Sequence, residues 1–112
     1  MRILEEYNIV IRNMNLKYKY YYRMTQSIYN GLQAYGIEIK REDYKGLIKV
    51  KEEKDCVKLI STEMEYVKKL LLMLYKNQVS PIHLIDVLGE TIDEHVYEFD
   101  VGMKKEACEL FL

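Results

Sequence analysis

The sequence predicts an α+β fold, an antiparallel β-meander of four to five strands followed by a helical hairpin packed on one face of the sheet. Three observations predict it. Asn30-Gly31 lies between two runs of alternating apolar and polar residues, and this dipeptide best tolerates the two positive-φ positions of a type I′ turn. Beyond residue 60 the apolar period lengthens from that of a strand to that of a helix. Ser80-Pro81 then supplies an N-cap residue and a first-turn proline for a second helix.

Taken in order, Tyr7 to Arg12 is rich in strand formers, and Asn13-Met14-Asn15 can turn into the next strand. The helical spacing of Ile3, Tyr7, Val10 and Met14 leaves a helix open as the alternative for this segment. The Asn30-Gly31 turn sets the register of its hairpin: Tyr29 faces Leu32, Met24 faces Ile37 and Tyr22 faces Ile39. The same register puts Leu16, Tyr18, Tyr20, Tyr22 and Met24 on one side of the sheet with Tyr35, Ile37 and Ile39. Turn chemistry and hydrophobic period therefore agree. The outer face carries Lys17, Lys19, Tyr21, Arg23 and Thr25, with Arg23 opposite Glu38, Lys19 opposite Glu42 and Tyr21 opposite Lys40. Further on, Leu47 to Lys51 and Cys56 to Ile60 flank Glu52-Glu53-Lys54-Asp55 and read as a second hairpin with a polar loop.

Thr62 with Glu65 has the capping-box spacing. Met64, Val67, Leu71 and Leu74 then form one helical stripe, and Tyr66, Leu70 and Met73 a second beside it, so this helix packs against more than one surface. Asn77 closes it. Val79 can staple onto Leu84 ahead of the second helix, whose core stripe is Ile85, Leu88, Ile92 and Val96. Gly89 inside that helix costs about 1 kcal/mol against alanine, which close packing would explain. The chain reads as one domain, 1–112, with the meander over 1–60, two helices over 61–99 and a tail over 100–112 that can form a short helix.

The bulk composition excludes several classes. The chain has 112 residues, 49% hydrophobic and 31% charged, which suits one globular domain. Its 17 basic and 18 acidic residues give a net charge of −1. Affinity for nucleic acid that rests on phosphate neutralisation requires a basic excess, so any basic patch is local. The longest apolar stretch, Leu70 to Tyr75, is too short to span a bilayer. The acidic residues of MRILEEYN occupy the place of a signal peptide's apolar run, which points to the cytoplasm. Cys56 and Cys108 form neither a CxxC motif nor a disulfide framework and read as two buried, reduced thiols.

No constellation demands chemistry. His83, Asp86, Glu90 and Glu94 share a face of the second helix, but its two histidines lack the close spacing of a metal motif, so a solvated acidic face is expected. Small-ligand or metal binding near this helix stays as a minor alternative. Ser61 and Ser80 are helix-start residues without GxSxG around them, and no GxGxxG or P-loop occurs. An enzyme, a cofactor and a catalytic residue are therefore not expected. Lys17, Lys19, Tyr21 and Arg23 offer the mixture of cations and aromatic surface used by single-strand binders, but only one aromatic residue faces outward there, and acids stand opposite. Nucleic acid is the alternative reading.

Tyr20 to Thr25 (YYYRMT), Tyr35 to Ile39 (YGIEI) and Val79 to Leu88 (VSPIHLIDVL) together resemble a family of small uncharacterised proteins from Gram-positive anaerobic bacteria, a domain of unknown function. The resemblance spans roughly Tyr18 to Glu94. It implies a small bacterial cytosolic protein and assigns no catalytic residue. From the residues themselves the expected role is a non-enzymatic interaction or regulatory module, acting on a protein partner or on itself as a homodimer, without membrane contact. Its candidate surface is Leu72 on the broad helix face and the apolar tail residues Leu110, Phe111 and Leu112.

Overall fold

The computed structural model describes residues 2–95, with side chains described as far as Ile92. Four strands, β1 (Arg2–Asn13), β2 (Leu16–Tyr29), β3 (Leu32–Lys45) and β4 (Ile48–Ser61), form one antiparallel sheet in the order β1-β2-β3-β4. Helix α1 (Met64–Lys76) follows. A 3-10 turn at Pro81–His83 then leads into α2 (Leu84–His95). This is the expected meander and helical pair. The open alternative at the N-terminus resolves to strand.

The central hairpin has the register set by its turn. Asn30 and Gly31 both adopt positive φ, at 50° and 79°. Tyr22 pairs with Ile39, Met24 with Ile37 and Arg23 with Glu38. One face of the sheet thus presents Tyr20, Tyr22, Met24, Ile37, Ile39 and Val57 to the helices, which answer with Val67, Leu71, Leu74, Leu84, Leu88 and Ile92. The Tyr22 ring stacks with Tyr20 at 6.2 Å and meets Tyr75 of α1 edge-on at 5.8 Å. Its hydroxyl donates to the carbonyl of Val79 at 2.9 Å. One side chain therefore ties the sheet to both α1 and the link into α2. Tyr7 against Tyr75 and the ion pair of Glu5 with Lys68 at 3.2 Å carry α1 across to β1.

Several expectations are corrected. The polar run Glu52 to Asp55 is not a loop: β4 passes straight through it, and the turn lies earlier, at Gly46-Leu47, where Gly46 has φ 63°. The charges are tolerated within a strand because neighbours pair them: Glu52 takes Lys40 of β3 at 3.4 Å and Lys49 at 3.0 Å, and Glu53 takes Lys51 at 2.8 Å, although Glu52 faces Glu42 and Lys54 faces Lys40 in the register. The capping box is not formed. The N-cap of α1 is Glu63, without a side-chain cap bond, and the Ser61 hydroxyl accepts from the Glu63 amide at 3.0 Å. In α2 the buried stripe is Leu84, Leu88 and Ile92, with Ile85 only half-buried, and Val96 lies outside the described residues. A Cβ on Gly89 would meet nothing within 4 Å, so close packing does not explain that glycine. Cys56 is fully buried as expected, but it is bonded in a disulfide instead of free. Cys108 lies outside the described residues.

The glycine with a packing role is Gly36. Tyr35 pairs with Ser61 and Ile37 with Val57, so Lys58, Leu59 and Ile60 of β4 face one residue of β3. That wide bulge brings the β4 backbone down onto Gly36, where only a hydrogen side chain fits.

Candidate interaction surface

The sheet is longer than its helical layer. A 14-residue strand such as β2 extends roughly 45 Å, while the 13 residues of α1 rise about 20 Å. The helices lie over the half of the sheet that holds Tyr22, Met24 and Ile37. The other half ends in two short turns, Met14-Asn15 and Gly46-Leu47, held side by side by the Gly46 amide donating to the Asn15 carbonyl at 3.2 Å.

At this end the apolar side chains point into solvent. Met14 is 99% exposed and Leu47 97% exposed, with Ile48 and Val50 exposed behind them. A groove between the turns is lined by Arg12, Met14, Asn15, Leu16, Lys17, Gly46 and Leu47. Lys17 and Lys45 flank it, and neither has a carboxylate within ion-pair distance among the described residues. Met14 has φ 57°. A left-handed backbone costs a side chain of this kind roughly 1 kcal/mol, and neither neighbouring asparagine, which would bear it better, occupies the position. Packing within the chain does not offset that cost.

On the outer face of the sheet, opposite the helices, Arg23 and Tyr21 of the expected nucleic-acid residues bond to carboxylates within the sheet, while Lys17 and Lys19 lie over an aromatic ring. Arg23 donates to Glu6 and to Glu38, each at 2.8 Å. The Tyr21 ring lies between the Arg23 and Lys40 cations, at 5.1 and 5.7 Å, and its hydroxyl donates to Glu42 at 2.8 Å. Burial first, then that bond, push the pKa of the Tyr21 hydroxyl up to about 12. Lys19 stands opposite Glu42 in the register, yet makes no ion pair with it: its ammonium sits over the Tyr44 ring at 5.2 Å, beside Lys17 at 5.0 Å. Glu42 instead takes Tyr44 at 3.3 Å, Lys40 at 3.4 Å and Lys49 at 3.6 Å.

Glu42 is 7% exposed. Burial alone would raise its pKa, but the Tyr21 hydroxyl, Lys40 and the Tyr44 hydroxyl more than offset this and hold the carboxyl at about 2, against an ordinary value of 4.5. A depressed folded-state pKa contributes stability that is complete above the unfolded value and is lost as pH falls from there toward the folded one. Because solvent reaches the lysines around it, we expect a contribution on the order of 1–2 kcal/mol, after screening. Urea melts at neutral pH and near pH 3, a pH still above the folded-state value, should show the parent losing roughly half of that contribution or more relative to Glu42→Gln.

The other expected site residues are dispersed. His83 lies in the 3-10 turn, and Asp86 and Glu90 are exposed on α2; the side chain of Glu94 lies outside the described residues. Among the described residues no group of three or more His, Cys, Asp or Glu is placed to hold a metal ion, and no helix is long and apolar enough to cross a membrane. Leu72 is half-buried on α1. Leu110, Phe111 and Leu112 lie outside the described residues. The exposed turn tips escaped the sequence reading, although the sequence held a signal for them: a methionine between two asparagines and a leucine after a glycine are apolar residues where a turn needs none.

Set against known proteins, the model of a family of unknown function (DUF6514) matches residues 1–94. No curated protein and no solved structure matches the chain.

Proposed function

We propose, for a chain that belongs to this family of unknown function, the role of a non-enzymatic protein-interaction module that engages its partner through the helix-free end of the sheet. The observation that carries this reading is Met14, left-handed at φ 57° and 99% exposed. The chain accepts backbone strain there to hold an apolar side chain in water. Methionine is the adaptable, polarizable residue of protein-binding surfaces. With Leu47 beside it and Lys17 and Lys45 at the flanks, the matching partner is a protein with an apolar groove and an acidic rim.

The test separates binding from folding. Met14→Asn combined with Leu47→Asn places turn-compatible residues at both tips, so the melting temperature should hold or rise. A protein captured by the parent from lysate of its native host should be lost by this variant. Identical captured proteins from parent and variant, or no captured protein with either, would sink the proposal.

A further inference from the structure

The two edges of the sheet differ in how they are guarded. An edge strand presents unpaired backbone groups that invite another strand, and proteins protect it with lysines, bulges or a covering element. The β4 edge has Lys49, Lys51, Lys54 and Lys58, two irregularities in its ladder, and α2 packed against it. Among the described residues, the β1 edge has no lysine, no ladder irregularity and no element packed along its open side from Glu5 to Asn13: its one irregularity lies before Glu5, and β2 is its only ladder partner. Val10 is exposed there, and Tyr7, Ile9 and Ile11 are half-buried at the margin of the core.

We infer that β1 pairs antiparallel with β1 of a second copy, across a two-fold axis at Ile9, joining two sheets into one of eight strands. The inference deepens the interaction reading but uses a different surface from the turn tips. Two copies of one strand paired antiparallel in a continuous sheet are related by an axis normal to it, so facing residues must lie on the same side. Among the registers this allows, centring on Ile9 pairs the longest stretch, Glu5 to Asn13. It sets Ile9 against Ile9 and Tyr7 against Ile11 on the helix side, and Val10 against Asn8 on the outer side. It also sets Glu6 against Arg12 twice.

Other centres do worse. Centring on Tyr7 puts Arg2 near Arg12, and centring on Asn8 sets Glu5 against Ile11 and Glu6 against Val10. Arg12 is exposed and has no ion pair among the described residues, and Glu6 spends only Oε1 on Arg23. The chain thus holds an unpaired cation and a half-used carboxylate at the spacing the dimer requires.

A charge-swap experiment on the full chain tests this. The parent should show a dimer mass by sedimentation at about 100 µM. Arg12→Glu and Glu6→Arg should each weaken dimerisation by about tenfold or more, because each homodimer then opposes like charges twice. A one-to-one mixture of the two variants should recover the dimer mass, since the two carboxylates carried by the Arg12→Glu copy then face the two guanidinium groups carried by the Glu6→Arg copy. A folding defect in either variant could not produce that recovery. A monomeric parent, variants that dimerise like the parent, or a mixture that stays monomeric would each overturn the inference. The Met14→Asn, Leu47→Asn variant should keep the dimer mass, so the turn-tip proposal and the dimer fail or survive separately.

Discussion

Gly36→Ala is expected to abolish the native fold or to destabilise it by at least about 3 kcal/mol, a large part of a small domain's total stability. A Cβ built at Gly36 would overlap the carbonyl oxygen of Val57 and stand 2.6 Å from that of Lys58. Both obstacles are backbone, so no rotamer change relieves them. The β4 bulge would have to lift, and Ile60, which is fully buried, and Val57 would leave the core with it. Urea denaturation followed by far-ultraviolet circular dichroism reads the loss. Gly89→Ala is the control: its Cβ meets open space within a helix, and the change should stabilise by up to about 1 kcal/mol. Equal effects at the two glycines would refute the account of the bulge.

Truncation of Tyr22 should be nearly as severe. Tyr22 is fully buried, and Tyr22→Ala removes its contacts with Tyr20 and Tyr75 and leaves a cavity between sheet and helices, an expected loss of about 3–5 kcal/mol. Tyr22→Phe keeps the ring and removes only the donor to the Val79 carbonyl, for about 1–2 kcal/mol. Burial raises the pKa of the Tyr22 hydroxyl well above its ordinary value, so it stays a donor across the working pH range. The two variants divide the tyrosine's contribution into packing and anchoring. Because Val79 lies in the link between α1 and α2, the phenylalanine variant should also speed amide hydrogen exchange in α2 more than in β2 and β3. Uniform acceleration would argue against a local anchor.

The legible parts of this fold are those where two local signals specify one answer. The hairpin of β2 and β3 is the clearest, because Asn30-Gly31 fixes the register and the tyrosine alternation fixes the face independently. The helix stripe of Val67, Leu71 and Leu74 was legible for the same kind of reason, a period that only one buried face can satisfy, although Met64, expected to begin it, is exposed in the first turn. The strand through Glu52 to Asp55 was not legible. Its charges look like a loop until β3 is placed beside them, where Lys40 reaches Glu52 at 3.4 Å and Arg41 stands opposite Glu53 in the register. The start of α1 was misread by one residue, because Ser61, Thr62 and Glu63 can each open a helix and only the path out of β4 selects among them.

The outer face shows a similar division. Register alone set Lys19 opposite Glu42, and that placement is right. It could not tell that Tyr21, Tyr44, Lys40 and Lys49 converge on the same carboxylate and leave Lys19 over an aromatic ring, because those contacts join three strands.

By itself, then, the sequence determined the meander, its central register and most of the apolar face of α1, since turn stereochemistry and side-chain period act over a few residues. Only the tertiary structure decided where the sheet extends past its helices, where β4 bulges onto Gly36, and which side chains remain in water. Those outcomes depend on the difference in rise between strand and helix, and on contacts between segments far apart in the chain. They expose Met14, Leu47 and the β1 edge, the surfaces on which the proposed interactions rest.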